Sequence, residues 1–340
     1  MKSTIPIISL IFSILILLAN CARQDESPVL KGPYLGEKPP GMTALIFAPG
    51  NVSTGHIEKC AAFMPDGKEF YFAILGEAAS FIAFMKLEDN GWVGPQMAPF
   101  SGRYEDDEFS LSPDGKKLFF VSHRPLAGKG ISDDNSNLWV VSRTNTGWSE
   151  PRNLGSSVNT DDNERYPSVT NDGTLYFYRR GKDDSEDWDI YTSRFVEGNY
   201  TKPERLRKEI NSSNWDFDPF IAPDESYVIF SSVDRGDGYG ASDLYISFRK
   251  EDGSWTKAIN MGNKINSNRW EFCPSVTVDG RFFFFASNRR IHESYPEHAI
   301  TYEEKMKILD KELNSPGNGH SDIYWVDAKI IETLKPEEIK

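Results

Sequence analysis

Five copies of one short pattern constrain this chain more than anything else in it. They are Phe63-Met-Pro-Asp-Gly67, Leu111-Ser-Pro-Asp-Gly115, Val169-Thr-Asn-Asp-Gly173, Ile221-Ala-Pro-Asp-Glu225 and Val276-Thr-Val-Asp-Gly280. Each precedes an aromatic–aliphatic run, such as Lys117-Leu-Phe-Phe-Val121 or Arg281-Phe-Phe-Phe-Phe285. The aspartates stand at 66, 114, 172, 224 and 279, giving spacings of 48, 58, 52 and 55. A repeat near fifty residues, made of short strands and Asp-Gly turns, predicts the blades of a β-propeller.

The third repeat shows the plan. Tyr166–Val169 reads as an inner strand, Asn171-Asp-Gly173 as a tight turn and Leu175–Tyr178 as the second strand. Asp189–Ser193 is the third, and a turn at Gly198-Asn-Tyr leads to an outer strand ending near Leu206. Asp bonds its own downstream backbone and Gly tolerates positive φ, which is why the pair makes the turn. In the fourth repeat Glu225 replaces that Gly, so a different turn type is expected there.

Blades 2 to 4 close on the related strings Leu154–Thr160, Ile210-Asn-Ser212 and Met261–Ser267. The fifth lacks one, and a similar string appears instead at Leu45–Thr54. The N-terminal strand is therefore expected to complete the last blade and remove two open sheet edges. The fold class is all-β, a propeller of four-stranded blades, five of them with six as the alternative.

Pro-Asp-Gly followed by an aromatic strand and by Asp-Ile-Tyr (189–191, 322–324) resembles the WD-like, TolB-like propeller family over roughly residues 44–327. The resemblance implies a fold and no particular activity, because such propellers include binding proteins and enzymes.

Ahead of the repeats, Ile5–Leu18 is almost continuously apolar, too short to span a membrane comfortably and suited to a signal-peptide core. It ends in Leu18-Ala-Asn-Cys21, which is similar to a bacterial lipobox; the resemblance implies removal of residues 1–20 and lipid on Cys21. The alternative is an ordinary signal peptide with an incidental cysteine. Residues 21–43, polar and rich in Pro and Gly, read as a flexible tether to a propeller over 44–334, with a charged tail at 335–340. The expected location is the bacterial envelope, anchored in the outer membrane on its periplasmic side or at the cell surface. With a net charge of −13 and no long basic run, a nucleic-acid partner is excluded.

Counting eight residues back from each turn Asp gives Glu58, Asp106, Glu164, Asp216 and Glu271. Five carboxylates at one equivalent position form either a ring at the channel mouth, able to hold a basic ligand or cation, or a set of latches paired to Arg and backbone. Trp215 and Trp270, with Phe217 and Phe272, sit in two neighbouring loops and either stack a ligand or plug the gap between blades. Cys60 and Cys273 stand six residues before their turn Asp, and two buried thiols are the default there, a disulfide the alternative.

The acidic loops at 133–135, 183–187 and 234–237 lack the spacing of a loop-type calcium site, so no cofactor is expected, with Ca2+ as the exception. Residues 291–320 form an insertion in which Tyr302, Met306, Leu309 and Leu313 share one helical stripe behind a Thr301/Glu304 capping box. That helix either covers the loop-rich face or packs on its own blade. The five histidines fall in loops without ligand spacing, and no nucleophile elbow, phosphate loop or paired-Cys metal motif is present. The expected function is non-catalytic binding of an envelope protein, peptide or glycan by a monomer. The alternative is a glycosidase or lyase using channel-mouth carboxylates.

Overall fold

The structure, a computed structural model, describes residues 30–76, 80–126, 135–181, 188–291 and 298–339. The putting-together of strands follows the repeats: five four-stranded antiparallel blades arranged as a propeller. Blade 1 runs Ile57–Phe63, Glu69–Leu75, Phe81–Glu88 and Gly91–Met97 from inner to outer strand. Blade 2 comprises Asp106–Leu111, Lys117–Ser122, Asn137–Thr144 and Arg152–Asn153, with Gly147–Trp148 hairpinned onto its third strand. Blade 3 is Asn163–Val169, Leu175–Arg180, Trp188–Ser193 and Glu204–Arg205; blade 4 is Asp216–Ile221, Tyr227–Ser232, Asp243–Phe248 and Ile259–Asn260. Blade 5 takes Glu271–Val276, Phe282–Ser287 and Asp322–Asp327 from the C-terminal repeat and Leu45–Ile46 from the N-terminal end.

The aromatic runs are continuous because both faces of a blade are covered. In Phe282–Phe285 alternate rings point to opposite faces. Phe282 and Phe284 join the cluster that includes Phe63 and Phe70 of blade 1, whereas Phe283 and Phe285 join Ile229, Leu244 and Ile246 of blade 4. Each such ring contributes about 1.5–3 kcal/mol by leaving water.

The closing strand pairs Leu45 with Trp325 and Ile46 with Tyr324. Phe47 then enters the core, its ring 5.0 Å from Trp325 and 5.1 Å from both Phe70 and Phe284. The related strings share a physical role. Asn159, Asn211 and Asn266 each accept from the backbone N–H and donate to the C=O of one third-strand residue: Leu138, Ile190 and Leu244. Ser53 takes that place in the closing strand, bridging both groups of Ile323.

Every turn Asp accepts the N–H two residues on, at 3.0–3.1 Å. The expected change of turn type in blade 4 does not occur. Glu225 adopts φ +59°, close to the +68° of Gly67 and Gly115, and its N–H reaches Ala222 O at 2.9 Å as in the other turns. A non-Gly residue in this region costs about 1–2 kcal/mol. The bond from Tyr176 Oη to Glu225 Oε1 (2.8 Å), made across the blade boundary, offsets it.

Leu30–Glu37, within the stretch expected as tether, lies against the propeller. Leu35 is buried, Tyr34 sets its ring 4.6 Å from Phe282, and Trp92 donates to the carbonyls of Leu30 and Gly32. Helix α1 (Tyr302–Leu313) begins with the expected capping box. Its stripe is neither packed on a blade nor covered: no residue of the helix is buried, and Tyr302 is 74% exposed. Its C-terminal end touches the ring, where a Cβ on Gly55 would stand 2.4 Å from the Leu313 carbonyl oxygen. A short helix α2 (Lys329–Thr333) buries Ile330 and Ile331 against blades 4 and 5. No helix among the described residues is long and apolar enough to cross a membrane. The apolar segment, Cys21 and the two acidic stretches 133–134 and 183–187 lie outside the described residues.

Candidate functional site

The five repeated carboxylates are buried, and each is bonded to nearby chain. Glu58, Glu164, Asp216 and Glu271 accept from the hydroxyl and the backbone N–H of the residue four earlier: Thr54, Thr160, Ser212 and Ser267. Four of the five also meet a guanidinium. Arg124 reaches Asp106 at 2.6 Å, Arg179 reaches Glu164 at 2.9 Å, Arg235 reaches Asp216 at 2.5 Å and Arg289 reaches Glu271 at 3.0 Å. The same guanidinium groups bind the carbonyls of Phe100, Val158, Ile210 and Ile265, tying the loop that follows the preceding blade's outer strand to the inner strand. Among the described residues no arginine meets Glu58; burial raises its pKa, which the Thr54 hydrogen bonds and then His56 and His320 only partly counter. These are loop latches in their geometry, and none of the five lines the central funnel.

The funnel has a volume of about 510 Å³ and opens on the face carrying the second-to-third-strand loops. Glu108 and Asp218 line its floor; both stand six before their turn Asp, the place taken in the other repeats by the buried Cys60, Tyr166 and Cys273. At that point every inner strand carries a bulge, the register slipping between Lys59 and Ala61, Asp107 and Phe109, Arg165 and Ser168, Phe217 and Phe220, and Phe272 and Ser275. A bulge re-aims the side chain it carries. Four of the five residues sit at positive φ: Cys60 +51°, Tyr166 +44°, Asp218 +49° and Cys273 +52°. Non-Gly residues in this region cluster at functional sites.

Lys59 Nζ lies 3.0 Å from both Asp107 Oδ2 and Glu108 Oε1. Arg165 comes from blade 3 to the same pair, with Nη2 3.0 Å from Asp107 Oδ2 and 2.9 Å from Glu108 Oε1, and Nε 3.0 Å from Glu108 Oε2. Burial alone would raise the Glu108 pKa; Arg165 and Lys59 outweigh it and hold the group down at about 2. Asp218 is the opposite case. It is 2% exposed, its Oδ2 accepts the Cys273 N–H at 3.0 Å, and its Oδ1 has no partner among the described residues. Burial, then repulsion by Glu108, pushes its pKa up to about 7. Tyr166 crosses the channel and donates to Pro274 O at 2.7 Å, and a small apolar cavity of about 60 Å³ lies beside this bond. Cys60 Sγ and Cys273 Sγ stand 3.3 Å apart as free thiols.

The funnel walls are aromatic. Trp188 and Trp270 flank Phe217, at 5.5 and 6.4 Å between ring centroids, and Arg180 lies 4.8 Å over the Trp188 ring. Of the two tryptophans expected to meet a ligand, Trp270 lines the funnel. Trp215 stacks behind Trp188, with centroids 4.5 Å apart and planes within 10°, and supports the wall from outside. Sequence reasoning missed Glu108, Asp218, Arg165 and Trp188. The count that found Cys60 and Cys273 would have found the first two if read around all five repeats. Among the described residues no group of three or more His, Cys, Asp or Glu is placed to hold a metal ion.

No protein-family model matches the chain, and no curated protein matches its sequence. Its likeness to solved structures is one of shape at low identity. A TolB-type protein of Agrobacterium tumefaciens is 18% identical, with a TM-score of 0.45, 79% of this chain and 90% of that chain covered. An alpha-L-arabinofuranosidase of Lactobacillus brevis is 13% identical (TM-score 0.44, 80% and 92% covered), and an oligogalacturonate lyase of Vibrio parahaemolyticus is 16% identical (TM-score 0.41, 72% and 62% covered). The chain is thus a five-bladed β-propeller with a blind, aromatic-walled funnel at its centre. TolB is among its structural neighbours, beside an arabinofuranosidase and an oligogalacturonate lyase, and that likeness assigns it no activity.

Proposed function

We propose that this propeller is a lipid-anchored envelope protein that binds its ligand, a protein, peptide or glycan segment, non-catalytically in the funnel. The observation that carries this is a concave, closed-floored site with aromatic walls and one unpartnered polar group, the combination expected of a binding pocket. Anchoring through Cys21 and location in the outer membrane rest on the lipobox-like Leu18–Cys21 alone. The closing strand completes the last blade, so each blade keeps only its outer strand as a sheet edge, which supports a monomer.

The enzyme reading keeps one observation in its favour. Glu108 and Asp218 have pKa values pushed apart, to about 2 and about 7, as in acid–base pairs. Glycoside hydrolysis, however, needs two carboxyls within reach of substrate. Both oxygens of Glu108 are taken by Lys59, Arg165 and the Tyr166 N–H, which favours binding over turnover.

A glycan array and capture from envelope extract, run with the intact protein and with Trp270→Ala, test the reading. Specific capture that the substitution abolishes is expected. Capture unchanged by Trp270→Ala would place binding elsewhere, and turnover of any captured glycan would favour the enzyme.

A further inference from the structure

The floor of the funnel holds one more anion than it can neutralise. Lys59 and Arg165 face Asp107 and Glu108, two charges against two, with every ion pair at 2.9–3.0 Å. Asp218 stands beside this closed quartet with no cation of its own. The charged and titratable groups around it are Lys59 of blade 1, Glu108 of blade 2, Tyr166 and Tyr178 of blade 3 and Cys273 of blade 5. Among them Glu108 repels a charge on Asp218 more strongly than Lys59 attracts it; Arg180 and His320 also line the funnel.

We infer that the funnel recognises a protonated amine, which donates to Asp218 Oδ1 while the rest of the ligand lies against Trp188, Trp270 and Phe272. The inference rests on the funnel being the ligand site. A buried carboxylate oxygen without a partner is costly, and an ammonium group supplies both the missing hydrogen bond and the missing charge. The indole face of Trp270 attracts a cation as well, whereas Trp188 already stacks on Trp215 and carries Arg180. A neutral hydroxyl can donate to the oxygen whether or not Asp218 is ionised, but it brings no compensating charge. An amine drives the Asp218 proton off, because the ion pair favours the carboxylate.

The same chemistry is offered by an amino sugar, a lysine side chain or a peptide N-terminus. The test is calorimetric titration of the full chain with 1,5-diaminopentane against 1,5-pentanediol and with glucosamine against glucose. A glucosamine tetramer and trilysine then separate the sugar source from the peptide source. Each amine is expected to bind at least about tenfold more tightly than its neutral partner. Below the Asp218 pKa of about 7, binding should release a proton, read as a heat that depends on the buffer's ionisation enthalpy. Asp218→Asn should remove the amine preference, the ratio of amine to neutral-partner affinity falling to about one. Because proton release is read on the unaltered protein, the test survives a variant that folds poorly. Equal binding of amine and neutral partner, no proton release, or no binding of any amine overturns the inference. If glucose or pentanediol binds and Trp270→Ala abolishes it, the funnel stands as the site and only the amine is wrong. If envelope capture is also indifferent to Trp270→Ala, the funnel reading fails with it.

Discussion

Arg165 of blade 3 holds Glu108 of blade 2 through two bonds, Nε to Oε2 at 3.0 Å and Nη2 to Oε1 at 2.9 Å. The pair joins two blades at the channel axis and is shared with Lys59 of blade 1. Removing one partner of a buried ion pair strands the rest. Glu108→Ala should therefore destabilise the fold by about 3–5 kcal/mol, measured by urea unfolding near neutral pH. A loss under about 1 kcal/mol would show that the network carries little of the inter-blade stability.

Acid should weaken the protein through the same residue. Glu108 has a folded pKa of about 2, below its ordinary 4.5, so the folded state binds fewer protons than the unfolded one between those values. Its contribution is fully present above pH 4.5 and is lost as pH falls toward 2. Glu108→Gln should flatten the acid limb of a stability–pH curve; an unchanged limb would contradict the assignment.

Asp322 predicts a slope of the other sign. Burial, with repulsion from Glu58, raises its pKa to about 7, and its Oδ1 has no partner. The folded state then binds more protons than the unfolded state between the ordinary 3.8 and 7, so stability falls as pH rises through that window. Asp322→Asn should be more stable than the parent at about pH 8 and lose that advantage at about pH 4. Thermal melts at the two values check this, and a variant less stable at both would contradict it.

Ring closure depends on one aromatic side chain from the N-terminal strand. Phe47 is fully buried among Phe63, Phe70, Phe284 and Trp325. Phe47→Ala should cost about 3–5 kcal/mol by denaturant unfolding. A loss no larger than that of a surface substitution would mean that the closing strand is dispensable.

The thiols facing each other across the same closure should be inert. Burial raises the pKa of both Cys60 and Cys273. In a Cys21→Ser background the native protein should give no reaction with a thiol reagent at about pH 8, and both thiols should appear after unfolding. A thiol reacting at once in the native state, or none appearing after unfolding, would contradict the free, buried pair.

The propeller was legible because its signals are local. Asp66 and its four counterparts mark turns that bond their own backbone, and Leu45–Thr54 carries the hydrogen-bonding pattern missing from the last repeat. The site was less legible, for a physical reason. Counting back from the turn Asp assumes unbroken alternation, but each inner strand bulges between the acids at −8 and the residues at −6. A single extra residue exchanges the faces of a strand. The conspicuous carboxylates, such as Glu271, were thereby turned into latches with Ser267 and Arg289, while Asp218 and Glu108 came to face the channel. Glu225 misled in the same local way, since its compensation by Tyr176 comes from another blade.

The central claim is that the ligand sits in the funnel and not on the exposed stripe of α1. A benzophenone photo-crosslinker replacing Phe272, on the funnel wall, and in a second protein replacing Tyr302, on the helix, tests this in envelope extract. Adducts formed from position 272 and absent from position 302 are the predicted result; adducts from position 302 alone would contradict the account.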